Sequence, residues 1–516
     1  MPAATAFRAQ AALLLAALAL GIYGIDRSLW MDEAWVANSV LAPSLSGMFY
    51  YPDWLQTTPP LFLLLTRAAV HVFGESNVSF RLVPLAFALV GVAGMMEVSR
   101  RLLSPPFAAL ACALLVFHPT AIEYSRTCKQ YSAELAASAV ILLAIVLYVE
   151  HPDRRRFWWV VAAFVAMLPI AWSTAFLLPG AAAAVWARGG MRRAGSLVLV
   201  FSGVLTILYV VFIRPNVSPQ LRVYWIANAQ HLSTGLLAAV AFCVVAAVRA
   251  LFLLRKQSDS RALIQIAAAL PCLLLTAADL LHLYPAEPRT RLFALPCFLL
   301  VVVMNVEDLA VWGMASALPP SFRSAQLATT RAQIRLATPA GEPGRRFINA
   351  AAWLAVIAVG SGSVWSQIRQ HQNRPQEDFE GAVQLLRQHV GPSDLLLVHA
   401  SVFEGFKLYA RMEAWRDSHA IYGDTGWPCC ARNKIATPGS SNARAVSEDI
   451  DRMVPRGFSG RVWLYYSARH THWTYIGNDE GILWRNHLWD RGCPPTGPYL
   501  QLQNIAISAM DCVQAR

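Results

Sequence analysis

Apolar runs of near-constant length, separated by short breaks that carry arginine, occupy the chain from residue 9 to residue 365, after which the pattern turns mixed and polar. The runs fall at 9–25, 80–99, 107–122, 132–149, 157–171, 174–187, 195–213, 233–254, 262–282, 291–311 and 347–365. A helix needs about 20 predominantly apolar residues to cross the hydrocarbon of a bilayer. The pattern therefore predicts eleven spanning helices, those at 157–171 and 174–187 being the shortest. A further run, PPLFLLLTRAAVHVFG at 59–74, is short, opens on Pro59-Pro60 and carries Arg67 and His71. Those features predict a helix lying along the membrane surface. The first run follows a single basic residue, Arg8, and precedes no small-residue cleavage site, so it reads as a retained helix and not a signal peptide.

Past residue 365 the periodicity changes. EDFEGAVQLLRQHV places apolar residues at 379, 382, 383, 386 and 390, a helical spacing. DLLLVHA reads as a buried strand, VFEGFKLYARM as a helix and RVWLYYSA as a second strand, with Pro and Gly clusters between. The expected architecture is mainly α: a polytopic membrane domain at 1–365 and a small α/β domain at 366–516. Within the first, the Ala-, Pro-, Ser- and Arg-rich stretch 312–346 reads as a connector loop.

Composition agrees. Hydrophobic residues make up 56% of the 516 and charged residues only 14%, against about 25% in ordinary soluble chains. The net charge of +12 would suit nucleic acid, but the arginines sit in short breaks between apolar runs, the distribution that sets membrane orientation. With 59–74 on the surface, the basic breaks at 100–101, 154–156, 188–193, 255–261 and 312–346 all fall on the cytoplasmic side. The same count places residues 26–79 and 366–516 outside. There Cys429, Cys430, Cys493 and Cys512 could form disulfides, with three pairings open. Cys112, Cys128, Cys243, Cys272 and Cys297 lie in or beside apolar runs and read as packing residues.

The charges left on the outer face are the chemical candidates. The first outer loop holds Asp26, Arg27, Asp32, Glu33, Asp53, Arg67 and Glu75; EYSRTCKQYSAE supplies Glu123, Arg126, Lys129, Tyr131 and Glu134; HLYPAEPRTRLF supplies Glu287, Arg289 and Arg291. Charge beside a bilayer is tolerated where it pairs or lines a wet cavity. Arg and Lys there could hold a lipid phosphate, and a carboxylate opposite could accept the proton of an attacking hydroxyl. That is the layout of glycosyl transfer, in which cations stabilise the departing phosphate.

LWMDEAWVANSV, TTPPLFLLL, RLVPLAFALVGV and EYSRTCKQYSAE, in this order and spacing, resemble the GT-C membrane glycosyltransferases. Nearest among these are the protein O-mannosyltransferases, aminoarabinose transferases and rhizobial lipopolysaccharide transferases. The resemblance covers about the first 150 residues well and the rest loosely. It implies a polyprenyl-phosphate sugar as donor, hexosyl or pentosyl transfer with inversion outside the cytoplasm, and residence in a bacterial inner membrane. A glycan, lipid or protein would be the acceptor. It also implies an essential acid in the first outer loop, which falls on Asp32 with Glu33 beside it, the two acting as base or together on a divalent cation. The donor-phosphate base falls on Lys129, with Arg126 nearby, and a late outer-loop arginine on Arg289 or Arg291. Asp53 and Tyr131 would shape the acceptor path. Many relatives have Glu-Ala-Arg-x-Tyr where this chain has Thr127-Cys128-Lys129-Gln130-Tyr131, and aminoarabinose transferases have Lys-Pro where it has Thr58-Pro59.

Structural readings stand beside these. Asp32 could cap a helix over 33–41, Glu33 could favour its N-terminus, and Arg126 and Lys129 could be snorkelling charges. HTHW at 470–473 is a weak metal motif without a third ligand, and NVS at 77–79 and 216–218 is a bare sequon. A transporter or flippase is the rival function, though transport explains a large outer loop between the first two helices poorly, and a membrane scaffold whose tail binds a partner is the third.

Overall fold

The computed structural model describes residues 3–51, 58–217, 234–256, 259–316, most of 350–366, and 369, 377–391, 393–398, 402–413, 450–451, 454–467, 477–496 and 500–512. Asp53, Cys429, Cys430, the HTHW motif and nearly all of the 312–346 connector lie outside the described residues. The helices used below are α1 (Ala3–Ile22), α2 (Met31–Val40), α3 (Leu45–Phe49), α4 (Pro60–Phe73), α5 (Asn77–Leu102), α6 (Pro105–Val116), α7 (Pro119–Ser125), α8 (Tyr131–Glu150), α9 (Arg154–Met167), α10 (Leu178–Leu208), α11 (Thr234–Lys256), α12 (Ser260–Leu280) and α13 (Leu295–Ser316). The tail follows as α14 (Phe379–His389), β1 (Leu395–Val398), α15 (Phe403–Met412), β2 (Gly460–Ser467), α16 (Gly477–Asp490), β3 (Leu500–Leu502) and β4 (Ile505–Cys512).

The protein is mainly helical, with several apolar spans and one small sheet. Among the described residues five helices are long and apolar enough to cross a membrane, or six if the bent pair α6–α7 is one span. The run at 59–74 forms a helix, the 14-residue α4. Runs expected at 174–187 and 195–213 join in one 45-residue stretch, Trp172–Asn216. Its kink falls at Gly190, whose φ of +79° is accessible to glycine.

Contacts divide the chain into two compact units. One comprises Met1–Ile25, Leu55–Thr66 and Arg81–Gln372; the other comprises Asp26–Trp54, Arg67–Phe80 and Asn373–Arg516.

In the first unit small residues let helices approach. A Cβ on Gly180 of α10 would stand 2.3 Å from the carbonyl oxygen of Ala267 in α12, and one on Gly94 of α5 would stand 3.1 Å from Ala139 Cβ in α8. Apolar lipid gives helices no hydrophobic reason to associate, so close backbone packing carries the contact. Basic breaks meet at one end of this unit. Arg101 pairs with Glu150 at 2.7 Å, Arg193 donates to Pro152 O at 2.9 Å and Arg188 to Ser260 Oγ at 2.6 Å. Arg261 reaches Leu102 O at 2.8 Å and Glu307 at 2.6 Å. The breaks at 100–101, 188–193 and 255–261 thus share a face, as the charge pattern predicts.

The second unit is built on a four-stranded sheet ordered β1-β2-β4-β3. β1 runs parallel to β2, and β4 pairs antiparallel with both β2 and β3. Leu397, Val462, Leu464, Tyr466, Trp484, Leu488 and Met510 form its core. Cys493 and Cys512 form a disulfide, which settles one of the open pairings. Asn77 of the first sequon is buried and hydrogen-bonded to Asp26 O and Glu380, so its side chain is committed to the fold. α2 belongs to this unit and packs on α15.

The Gly180 contact is testable. Gly180→Ala forces α10 away from α12 and should destabilise the helical unit by about 1–3 kcal/mol, the usual cost of overpacking. Thermal unfolding in detergent reads the change; an unaltered melting temperature would mean that the helices are not held there.

Candidate functional site

The basic candidates are set by a break in the chain. α6 and α7 meet at a 58° bend, where Pro119 lacks an N–H and cannot continue a helix. Arg126 caps the end of α7, and five residues later α8 begins at Tyr131. Arg126 is buried; its Nη1 donates to Tyr23 O at 2.6 Å and its Nη2 meets Glu123 Oε2 at 3.2 Å. Lys129 is 1% exposed and among the largest fully buried side chains of the chain. A buried ammonium is costly unless an opposite charge or a ligand phosphate compensates it. Tyr131 opens α8 edge-on to Tyr124, ring centres 4.8 Å apart.

The late loop 281–291 is fastened to the end of α12. Ala286 N donates to Asp279 Oδ1 at 2.8 Å and Thr290 Oγ1 to Pro285 O at 2.5 Å. Arg289 pairs with Glu287 at 2.7 Å, and Arg291 donates to Ala286 O. Burial lowers the Arg291 guanidinium below its usual value, against the pull of Asp279 and Glu287. Tyr284 links this loop to the second outer loop. Burial raises its phenol well above the usual range, Glu134 and Tyr131 add to the rise, and Arg289 opposes it. The structure therefore brings Tyr131, Glu134 and Arg289 within electrostatic reach of Tyr284. Sequence reasoning passed over Tyr284, whose signal was only its place in the same loop as the arginines. Arg291 also lines a cavity of about 380 Å³ with His118, Thr120, Cys243, Cys272, Thr276, Leu292 and Phe298, a lining that is apolar apart from a few polar groups.

The acidic candidates lie in the second unit, on α2. The helix starts at Met31, with Trp30 as N-cap, so Asp32 is not the cap that its residue type suggests. Glu33 is fully buried and turns back so that Oε2 accepts from Trp30 N at 3.4 Å. Asp32 is half-buried. Adjacent helical positions project about 100° apart, and one Glu33 oxygen is turned to the main chain. Among the described residues no three His, Cys, Asp or Glu side chains converge as metal ligands.

Tail residues fix α2. Leu29 N donates to Tyr409 Oη at 2.7 Å and Met31 N to Glu377 Oε2 at 2.8 Å. Asn38 Nδ2 donates to Glu404 Oε2 at 2.6 Å, and the Tyr51 hydroxyl donates to the same oxygen at 2.9 Å. None of Glu377, Glu404 and Tyr409 carries a local sequence signal, because their partners lie hundreds of residues away.

Residues 57–218 match a family model described as dolichyl-phosphate-mannose-protein mannosyltransferase. The apo crystal structure of ArnT from Cupriavidus metallidurans superposes with a TM-score of 0.54 at 15% identity, covering 98% of each chain. This is the GT-C fold. A second ArnT structure from the same organism, bound to undecaprenyl phosphate, superposes with a TM-score of 0.49 at 13% identity over 97% of each chain. No curated protein matches by sequence. Arg126 and Lys129 lie inside the stretch that the family model matches.

Arg126→Lys separates anchoring from charge. A lysine keeps the charge but lacks the planar fork with which Arg126 meets Tyr23 O and Glu123, so the variant should melt at a lower temperature than the parent. Equal melting temperatures would show that the two bonds do not hold the loop.

Proposed function

We propose that this GT-C protein transfers a hexosyl or pentosyl unit from a polyprenyl-phosphate sugar to a hydroxyl of a glycan, lipid or protein acceptor, with inversion. The observation that carries the proposal is the turn between α7 and α8, where Arg126 and Lys129, three residues apart, are both buried within the matched stretch. A second support is Arg291, which opens onto an apolar cavity of about 380 Å³, the combination an isoprenoid phosphate calls for. The described glycosyl donor of the matched family is itself a lipid phosphate.

In the proposed reaction the acceptor oxygen attacks the anomeric carbon as the bond from that carbon to the phosphate oxygen breaks. Asp32 takes the hydroxyl proton. Lys129 and Arg126 hold the phosphate, and Arg289 and Arg291 add positive charge where the leaving group gathers its electrons. A single displacement inverts the centre. Glu33 supports Asp32 by holding the start of α2, and Tyr131 and Asp53 shape the acceptor path. We place the reaction, with the unit that contains residues 373–516, on the extracytoplasmic side of a bacterial inner membrane. The cytoplasmic side then belongs to the basic breaks.

Full-length protein in lipid nanodiscs, given polyprenyl-phosphate sugars labelled in the sugar, tests this. Asp32→Asn should lower kcat by about 100-fold or more, the usual weight of a general base. Lys129→Gln should lower kcat/KM by about tenfold or more, as expected for a lost contact to developing charge. Undiminished turnover in Asp32→Asn would overturn the assignment, and uptake of intact donor without sugar release would favour a flippase.

A further inference from the structure

Helix α2 begins without a capping side chain of its own. Ser, Thr, Asp or Asn ordinarily precedes a helix and accepts from its first N–H groups, yet the N-cap here is Trp30, which has no acceptor. Glu33 serves Trp30 N, which leaves the first helical N–H, that of Met31, to be satisfied from elsewhere. The partner is Glu377, 346 residues along the chain, whose Oε2 accepts it at 2.8 Å. Glu377 is itself held in place. It is 9% exposed, its backbone bridges to Gln503 in the β3–β4 turn, and Asp378 caps α14 directly after it. A carboxylate at a helix N-terminus also meets the positive end of the helix dipole.

The consequence concerns the next residue. Where a helix begins fixes the direction of every side chain in its first turn, since a slip of one residue rotates each by about 100°. Asp32 follows Met31 directly. We propose that Glu377 is the positioning residue for Asp32: by capping α2 from the C-terminal segment, it fixes the angle at which the Asp32 carboxylate is presented to the acceptor hydroxyl. The inference rests on the assignment of Asp32 as base. It gives the tail a part in the reaction without placing any tail residue on the substrate. Tyr409 on Leu29 N and Glu404 on Asn38 hold the stretch before the helix and its far half. Among these contacts, that of Glu377 stands next to Asp32.

Two variants of the full-length protein in nanodiscs separate a cap from a charge or a filler. Glu377→Gln keeps an oxygen acceptor of the same reach, and Glu377→Met keeps the bulk with no acceptor. Glu377→Met should lose about 10- to 100-fold in kcat, the scale on which a small misplacement of a reacting group acts. KM for the labelled polyprenyl-phosphate sugar should stay within about twofold, because donor binding is not what changes. Glu377→Gln should restore kcat to within about threefold of the parent, as a retained acceptor predicts. Amide hydrogen exchange at Met31 should accelerate in Glu377→Met and not in Glu377→Gln, with α15 unchanged in both. Parental kcat in Glu377→Met would overturn the proposal, as would a Glu377→Gln variant that falls as far as Glu377→Met. Asp32→Asn, run beside them, keeps the two readings apart. Loss of turnover there with none in Glu377→Met defeats only the positioning role, whereas retained turnover in Asp32→Asn defeats the base assignment and the positioning role with it.

Discussion

The opening turn of any helix carries main-chain N–H groups that its own ladder leaves unsatisfied, and in α2 that requirement reaches far along the chain. Trp30 offers no acceptor, so Glu33, Glu377 and Tyr409 accept from Trp30, Met31 and Leu29 in succession. The Tyr409 hydroxyl donates onward to Asn77 Oδ1 at 2.7 Å, and Asn77 donates to Asp26 O and Glu380. Three main-chain donors thus tie residues 26–33, residue 77 and the segment 377–409 into one hydrogen-bonded body. Such a network holds only when every member is satisfied, since a buried donor left without a partner costs about 1–3 kcal/mol. The contacts that satisfy α2 are therefore the same ones that make the first loop and the tail a single compact unit.

The helical unit solves a different problem with the same economy. Its interior is apolar and depends on small residues at crossings, as at Gly180 and Gly94. Its charges collect at helix ends, where they can be paired. At one end these are ion pairs that close the basic breaks, such as Arg261 with Glu307. The other group gathers around the break at Pro119, where Arg126 binds the carbonyl that follows α1. Pro119 opens the short α7, and the two cations follow in the turn between α7 and α8.

Much of this was legible in advance. Apolar runs of spanning length announce helices because lipid leaves the backbone no other partner, and α5, α8, α12 and α13 lie where those runs predict. In the tail, the periodic stretch at 379–390 became α14, and the apolar run DLLLV became β1. β4 escaped notice because IAISAMDC mixes Ala, Ser and Asp into the strand; its pairing with β2, and not its own propensity, decides its state. The start of α2 misled for a similar reason. Asp32 is the residue type that caps helices, but the actual acceptors come from residue 33, two residues inside the helix, and from residues 377 and 409. Long-range hydrogen bonds leave no local periodicity to read. The cysteine pairing was equally hidden, since it follows from β4 running beside the segment that holds Cys493 and not from spacing.

That start also explains why two carboxylates stand together. Neighbouring helical residues diverge by about 100°, so the two side chains leave the helix in different directions. Glu33 is fully buried and turned to the main chain of Trp30, which makes it part of the scaffold; Asp32 keeps part of its surface. A single acid at this point would have to hold the helix and meet a substrate at once, and a carboxylate bonded to the backbone is the weaker base for it, because hydrogen bonds favour its charged form. In the second loop Arg126 is likewise tied to the main chain, at Tyr23 O, and to Glu123. In each loop one charged side chain is tied to the main chain, and at α2 a residue of the tail adds a second tie.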